Sequence, residues 1–585
     1  MAPRLLLLLI ISMVIRVEVQ AQATGGDSPN TLLPEINPQD IEIRSEFRAR
    51  FPGLRRQPIL GFNPKPRVFQ INPNRMPFME TKEEAVANVA ITELDRPEPP
   101  ARSVLPTPSR TNALLKAGFG TYFSPELQGY FYHGFNEKSA LSGNLDYRSS
   151  DGHLDNQLSG FRFFDGDIRF TTKTNNGLQI NTGVGFLSDF NRMYDIDPIY
   201  QDPINDFSET ALKTYSGGSF SVSAEKKENA FKGWKAGLSA STYSTDLEAG
   251  TTDFSGNAVE NMLTVDFALF WPGKRLYETF TVDGDIQIGQ NDFPQNINST
   301  GGYATNSPQS WLLTTAGISY GKMLNFSTHV SARAALAYAD DNIDSKVYLA
   351  PELNISYNLK DAITLDGSIY GKPGIKTLQG HQQTNRFLVT ETQLQHSYTS
   401  GAMAEINLQV LEGNRVYGGL SYEIIKNYAF YDRITDTVVG TDYQTFYGLN
   451  FDKANIFEIY GGITQQLNPN KFWFDTRVYV RSPKLDGGDD IPFEERLGIT
   501  GSLSYLPMDK LKVTSWASYT GPRQAPASNR ELDGFVLLNA GAEYQFTSQL
   551  GGYVKVLNML GQKYELWDGY QERPFQAFLG LILKL

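Results

Sequence analysis

The last twelve residues read PFQAFLGLILKL (574–585). Phe575, Ala577, Leu579, Leu581, Leu583 and Leu585 fall on one side of an extended chain. Gln576, Gly580 and Lys584 fall on the other, with Phe578 and Ile582 among them. Successive side chains of a strand point to opposite faces, so this is a strand with one wholly apolar face. In water such an edge is an aggregation hazard. The strand therefore needs a partner on both edges, or a solvent that is not water.

The same period-two texture runs upstream from Asn112. In FTVDGDIQIG, Phe280, Val282, Ile286 and Ile288 oppose Thr281, Asp283, Asp285 and Gln287. In KFWFDTRVYVR, Phe472, Phe474, Val478 and Val480 oppose Asp475, Arg477 and Arg481. In VLLNAGAEYQF, Val536, Leu538, Ala540, Ala542, Tyr544 and Phe546 oppose Asn539, Glu543 and Gln545. Charges and amides on one face suit a wet interior, and an apolar opposite face suits lipid. A propeller would show a repeat with a per-blade signature, and none is visible.

The connections alternate in length. Short ones are TNNG (174–177), PGKR (272–275), NLKD (358–361), LEGN (411–414), NPN (468–470), MDK (508–510) and TSQ (547–549). Long polar stretches lie near 188–210, 245–257, 290–308, 372–396, 431–454, 483–495, 521–533 and 560–573. Tight periplasmic turns and long external loops have this asymmetry. The pattern predicts an all-β fold, a transmembrane antiparallel β-barrel of about 22 strands of roughly 10–14 residues. SPEL (124–127) and 372–396 leave that count open by two. An even number puts both termini on the periplasmic side. The terminal strand then pairs with the first, near LLKAGFGTYF (114–123), and closure removes the edge.

Composition agrees. The chain has 585 residues, no Cys, a net charge of −12, 36 Phe and 30 Tyr. After the first residues no apolar run approaches the roughly 20 residues of a membrane helix. Mean hydropathy is −0.34, a value that alternating barrel strands produce as readily as a soluble chain does. The opening MAPRLLLLLIISMVIRVEVQAQATGG has a basic Arg4, an apolar Leu5–Ile15 stretch and an Ala21-Gln22-Ala23 cleavage site, the features of a secretory signal peptide. The expected domains are a signal peptide (1–23), a Pro-rich periplasmic tail (24–111) and a transmembrane β-barrel (112–585). Within the tail, DIEIRSEFRARF alternates Ile41, Ile43, Phe47 and Phe51 against charged residues, and KEEAVANVAITEL (82–94) has helix-forming composition. The stretches NPKPRVFQINPNRMPF and DRPEPPARSVLPTPSR resist helix and central strand.

The last strands, GGYVKVLNMLGQKYELWDGYQERPFQAFLGLILKL (551–585), resemble the end of a TonB-dependent receptor barrel. Asn558-Met559-Leu560 through Tyr564 resembles the turn-and-loop element with which that family closes; the family's terminal aromatic is replaced here by Leu585. LKAGFGTYFSPELQGYFYHGFNEKSALSGNLDYRSSDG (115–152) resembles the first strands of such barrels in Bacteroidota-type bacteria. The resemblance covers residues 112–585. It implies an outer-membrane barrel of the receptor-like class, involved in transport across the bacterial cell outer membrane. Receptors of that family carry a folded plug before the barrel, and residues 24–111 hold no sequence for a complete one.

No catalytic, cofactor-binding or metal-binding residue stands out, and binding residues are unknown at this level. The His residues, His133, His153, His329, His381 and His396, lack metal-ligand spacing, and no nucleophile elbow, P-loop or dinucleotide fingerprint occurs in a fitting context. An enzyme is not expected, nor a cofactor. The acidic stretches 194–207, 338–346 and 484–495 have calcium-type donors but also suit a solvated anionic surface. Arg55-Arg56 is too short for a basic patch, and no nucleic-acid partner is expected. Trp473, Trp516 and Trp567 are candidates for interfacial aromatic belts.

A lumen of this width is too large for its wall side chains to fill. The tail is one expected occluder, with Arg44, Arg48 and Arg50 meeting Asp283, Asp285 and Glu543; inward-folded loops or a partner are the others. The expected partners are outer-membrane lipid and periplasmic or surface proteins reached through the tail or loops. The alternative function is a barrel scaffold subunit of a multi-protein outer-membrane assembly or secretion complex.

Overall fold

The computed structural model describes residues 112–585 apart from 155–158, 193–211, 230–231, 250–253, 276, 293–307, 361, 389–392, 412, 434–446 and 468–470. The expected signal peptide and everything predicted for the tail lie outside the described residues.

The described strands run from β1 (Ala113–Gly120) to β26 (Gln576–Lys584). A 22-stranded sheet holds all of them except two short outer hairpins, Arg523–Ala525 with Arg530–Leu532 and Glu565–Trp567 with Tyr570–Gln571. Each barrel strand pairs antiparallel with its neighbours, and β26 pairs with both β23 (Leu550–Leu557) and β1. The closing register runs from Leu114 opposite Lys584 to Gly120 opposite Phe578. No edge remains, so every strand satisfies its backbone laterally.

The faces follow the alternation in the sequence. Leu579 is 68% exposed and Leu581 58%, whereas Phe578 and Ile582 are buried on the lumen side. Ile286, Ile288, Val478 and Val480 are exposed outward. Across the lumen face, Arg333 binds Asp283 and Lys116 binds Glu543 at 2.7 Å. Two of the carboxylates expected to receive the tail are thus already paired with cations of the wall.

At the seam, strand approach is close enough to demand glycine. A Cβ on Gly118 would lie 2.1 Å from the Tyr553 hydroxyl, and one on Gly580 2.3 Å from its ring. Tyr553 lies over both glycines, a form of aromatic rescue, and donates to Glu126 at 2.6 Å. Lys555 bonds the other Glu126 oxygen at 2.5 Å. This network ties β23 to β2 (Ser124–Asn136) across the two strands between them.

Turns at the end carrying the termini are short, as at 137–138, 174–177, 509–510 and 546–549. The opposite end carries 151–160, 376–395, 486–496 and 558–575. SPEL proves to open β2 after a tight turn at 121–123, where Tyr122 and Phe123 take left-handed φ of 60° and 47°. The stretch 372–396 is one loop with its flanking strand ends.

Two expectations are corrected. Several strands exceed the expected length: β8 (Phe254–Pro272) has 19 residues, β15 (Asn414–Arg433) 20 and β16 (Tyr447–Leu467) 21. They continue above the belt into the outer mouth, so the stretch 245–257 is mostly strand. None of the three chosen Trp lies in a lipid-facing belt. Trp473 is buried opposite Gln466 and Ser504, and Trp516 lies opposite lumen-facing Asn539. Trp567 is in an outer loop. Outward aromatics at the terminus-bearing rim instead include Trp271 and Phe280, stacked at 6.1 Å, with Tyr320 4.9 Å from Phe280.

Candidate functional site: the loop-covered outer mouth

The connection 376–395, between β13 (Ile363–Ile375) and β14 (His396–Leu411), carries a short helix, α1 (Leu378–Thr384). Thr377 caps it by accepting from Gly380 N–H at 3.0 Å, a preferred use of a threonine hydroxyl. The two preceding donors go to another strand. Glu260 on β8, 1% exposed, accepts from Leu378 N–H at 2.7 Å and Gln379 N–H at 2.9 Å. A carboxylate there also meets the positive end of the turn.

Further latches reach the loop from other strands. Lys213 on β6 (Leu212–Asn229) donates to Arg386 O at 2.8 Å, to Leu388 O at 2.6 Å and to the Gln382 side chain. Gln309 on β10 (Gln309–Asn325) donates to Leu394 O at 2.6 Å and accepts from Leu394 N–H at 2.8 Å. Asp341 holds His396 by its backbone N–H at 2.8 Å and by Nδ1 at 2.7 Å. Lys376 donates to the Tyr431 hydroxyl on β15 at 3.0 Å, and His381 Nδ1 lies 2.9 Å from the same oxygen. These bonds join elements far apart around the wall, so the described parts of the loop, 376–388 and 393–395, lie over the mouth.

A second loop, 558–575, meets it there. Phe387 stacks on Tyr570 with centroids 3.5 Å apart, and Arg386 pairs with Glu572 at 2.6 Å. Arg433 donates to Asp568 O at 2.6 Å, and Tyr447 donates to the same oxygen at 2.8 Å. Arg530 reaches the Asp568 carboxylate at 2.7 Å. Trp567 packs edge-on against Tyr431 and Tyr447 at 5.5 and 5.3 Å. Leu378, Phe387, Leu388, Leu394, Tyr447 and Tyr570 form the buried centre of this cap. Each large apolar side chain so buried contributes about 1.5–3 kcal/mol.

Burial governs the titration of the cap. It pushes the His381 imidazole down to about 3, with the Lys376 charge adding to the effect. It also lowers Lys376 itself and raises Glu494, against the pull of Arg481. His381 is therefore neutral at physiological pH, as its bond to a phenol requires no charge.

Of the sequence candidates, the acidic stretch 194–207 lies outside the described residues. In 338–346, Asp341 Oδ1 accepts from Ile343 and Asp344 N–H at 2.9 and 2.8 Å, which shapes the turn. In 484–495, Asp490 pairs with Lys484 at 2.8 Å and with Arg496, and Glu494 pairs with Arg481 at 2.8 Å. Among the described residues, no three His or carboxylate side chains converge as a metal site would need. His381 and His396 turn out to be cap residues. Asn558 opens its loop with φ of 48°, bonding Gln562 O at 2.8 Å and receiving Gln562 N–H at 3.2 Å. Lys213, Glu260 and Gln309 were missed: each is one polar residue in an alternating strand, and only the lengths of those strands above the belt betrays them.

No known family model matches the sequence, and neither does any curated protein. Solved structures match the fold. The siderophore receptor PirA of Acinetobacter baumannii aligns with a TM-score of 0.64 at 13% identity, over 82% of this chain and 81% of that one. A ferric enterobactin receptor mutant of Pseudomonas aeruginosa in complex with enterobactin gives 0.63 at 14%, over 82% of each chain. FpvAI in its complex with pyocin S2 gives 0.63 at 12%, over 81% of this chain and 70% of that one. A closed antiparallel barrel of 22 strands with long loops over one mouth is thus the barrel fold of TonB-dependent siderophore receptors, and this chain has it.

Proposed function

We propose that the chain is an outer-membrane protein of the TonB-dependent receptor-like class, involved in moving a solute across the bacterial outer membrane, and not an enzyme. The observation that carries this reading is the latched cap. A barrel of this size needs an occluder, and loops 376–395 and 558–575 supply one at the outer mouth. A cap held by hydrogen bonds and one aromatic cluster can be released by a ligand that binds the open form better.

The test is conductance of the full purified chain in planar bilayers, beside a chain in which residues 378–388 are replaced by a Gly-Ser linker. A closed native chain and a large steady current through the variant support the reading. Equal closure of both forms overturns the cap as the occluder and transfers that role to residues 24–111.

A second reading, a scaffold subunit that docks a periplasmic protein, is favoured by one feature. Along β2, residues 130–136 are exposed on both faces, and they include Tyr130, Phe131, Tyr132 and Phe135. Such a stripe at the terminus-bearing rim suits protein contact. Stoichiometric partners recovered from detergent-solubilised membranes, and lost when Tyr132 and Phe135 become Ser, would support it.

A further inference from the structure

The seam is built from the shortest strands of the wall. β1 and β23 have 8 residues each and β26 has 9, against 19 to 21 in the longest strands. On the outside of this seam lies a groove of about 590 Å³, within the roughly 300–1,000 Å³ of small-molecule sites. Its floor is made of Ala117, Ala542 and Gly552, and Phe119, Phe546 and Leu579 stand among its walls. No charged side chain lines it. We propose that this groove seats one acyl chain of a phospholipid from the periplasmic leaflet. The proposal rests on the reading of the barrel as membrane-spanning.

Three features favour that occupant. The groove opens outward among Leu579, Leu581 and Val554, which are exposed and continuous with the apolar belt. An uncharged apolar lining fits a hydrocarbon chain and offers nothing to a headgroup. Its lower wall, Tyr544 and Phe546, adjoins the short turn 546–549 at the terminus-bearing end, which sets the leaflet.

The groove is also held open. On the lumen side Tyr553 lies over Gly118 and Gly580, and its bond to Glu126 fixes the strands beneath the floor. Outside, a Cβ on Gly552 would stand 3.1 Å from the Phe546 ring, so the glycine leaves that ring its place. A second copy of the chain fits less well. A two-fold contact would set one concavity against another, whereas a flexible chain fills a groove.

The experiment uses the full chain, reconstituted into vesicles of phosphatidylethanolamine and phosphatidylglycerol. The barrel is then re-extracted into detergent, washed, and weighed by native mass spectrometry. Ala542→Phe fills the groove; Ala334→Phe, on the exposed outer face of β11 (Thr328–Asp340), is the control. Native and Ala334→Phe chains should each keep one phospholipid, with occupancy in Ala542→Phe lower by about tenfold, the equivalent of 1.4 kcal/mol. Equal retention by Ala542→Phe, or a lipid-free native chain, overturns the proposal. So does a native dimer that Ala542→Phe dissociates, which assigns the groove to a second copy. Chains that fail to float with the vesicles overturn the membrane reading itself, and the groove's assignment with it.

Discussion

The Lys213 ammonium, at the outer end of β6, donates a 2.6 Å hydrogen bond to the carbonyl of Leu388, in a loop that springs from β13. The pair joins two parts of the wall that no strand pairing connects. It makes the loop a cap and not a loose surface segment, because Leu388 is 1% exposed and Lys213 3%.

Lys213→Ala removes the donor for Leu388 O, Arg386 O and Gln382. Buried acceptors left without a donor cost about 1–3 kcal/mol each. Amide hydrogen exchange across residues 378–388 should accelerate by at least about tenfold, the equivalent of 1.4 kcal/mol, with exchange in the barrel strands unchanged. Unaltered exchange in that loop would show that the apolar cluster alone holds the cap.

Lowering pH should loosen the same cap. The folded value of His381, about 3, lies below the ordinary 6.5. A released loop would expose the imidazole and let it take up a proton between those values, so the open form binds more protons. The His381 contribution to closure is therefore full above about pH 6.5 and weakens as pH falls toward 3, by up to about 1.4 kcal/mol per unit. Tyr431 and Lys376 face the ring, and Lys376 opposes its charging. Open probability in planar bilayers should rise between pH 6.5 and 4.5 and flatten in His381→Gln; a pH-independent native chain would contradict this.

Ala540→Arg should cost roughly 2–4 kcal/mol if its site is near the bilayer midplane, because Ala540 shares the outward face of Val536 and Tyr544. Glu543→Arg would set a third cation beside Lys116 and Lys512, so Glu543→Gln is the cleaner lumen control. Its partly exposed ion pair, with side chains 27% and 37% exposed, is worth about 0–1 kcal/mol. Urea unfolding in lipid or detergent would give the order, and equal costs would mean the faces are misassigned.

Deleting 575–585 should abolish assembly. It strips β26 from β1 and β23 and leaves two unpaired edges in lipid. Outer-membrane fractionation and the gel shift between unboiled and boiled samples would check this, normal levels of the truncated chain being the contrary result.

The barrel itself was legible in the sequence, because each strand writes its two environments residue by residue. Leu579 and Leu581 against Gly580, or Ile286 and Ile288 against Asp285 and Gln287, state the lipid and lumen faces through the strict period of two. An even count of such strands brings the ends together, which is why 574–585 could be matched to the segment near 114–123. The turns TNNG and TSQ marked one rim by length alone.

The cap was not legible, because its contacts are long-range and aperiodic. Glu260 and Leu378, or Gln309 and Leu394, are far apart in the chain, and nothing local in either segment names the other. The Trp assignments failed for a related reason. Trp473 and Trp516 sit on lumen faces that register decides, and Trp567 belongs to a loop whose fold depends on Asp568 finding Arg433 and Tyr447. What the sequence by itself determined is which backbone faces lipid and that the sheet must close, since both follow from solvent and alternation. What only the tertiary structure decided is how the outer loops meet over the lumen, since closure of the barrel is what brings their anchoring residues within hydrogen-bonding distance.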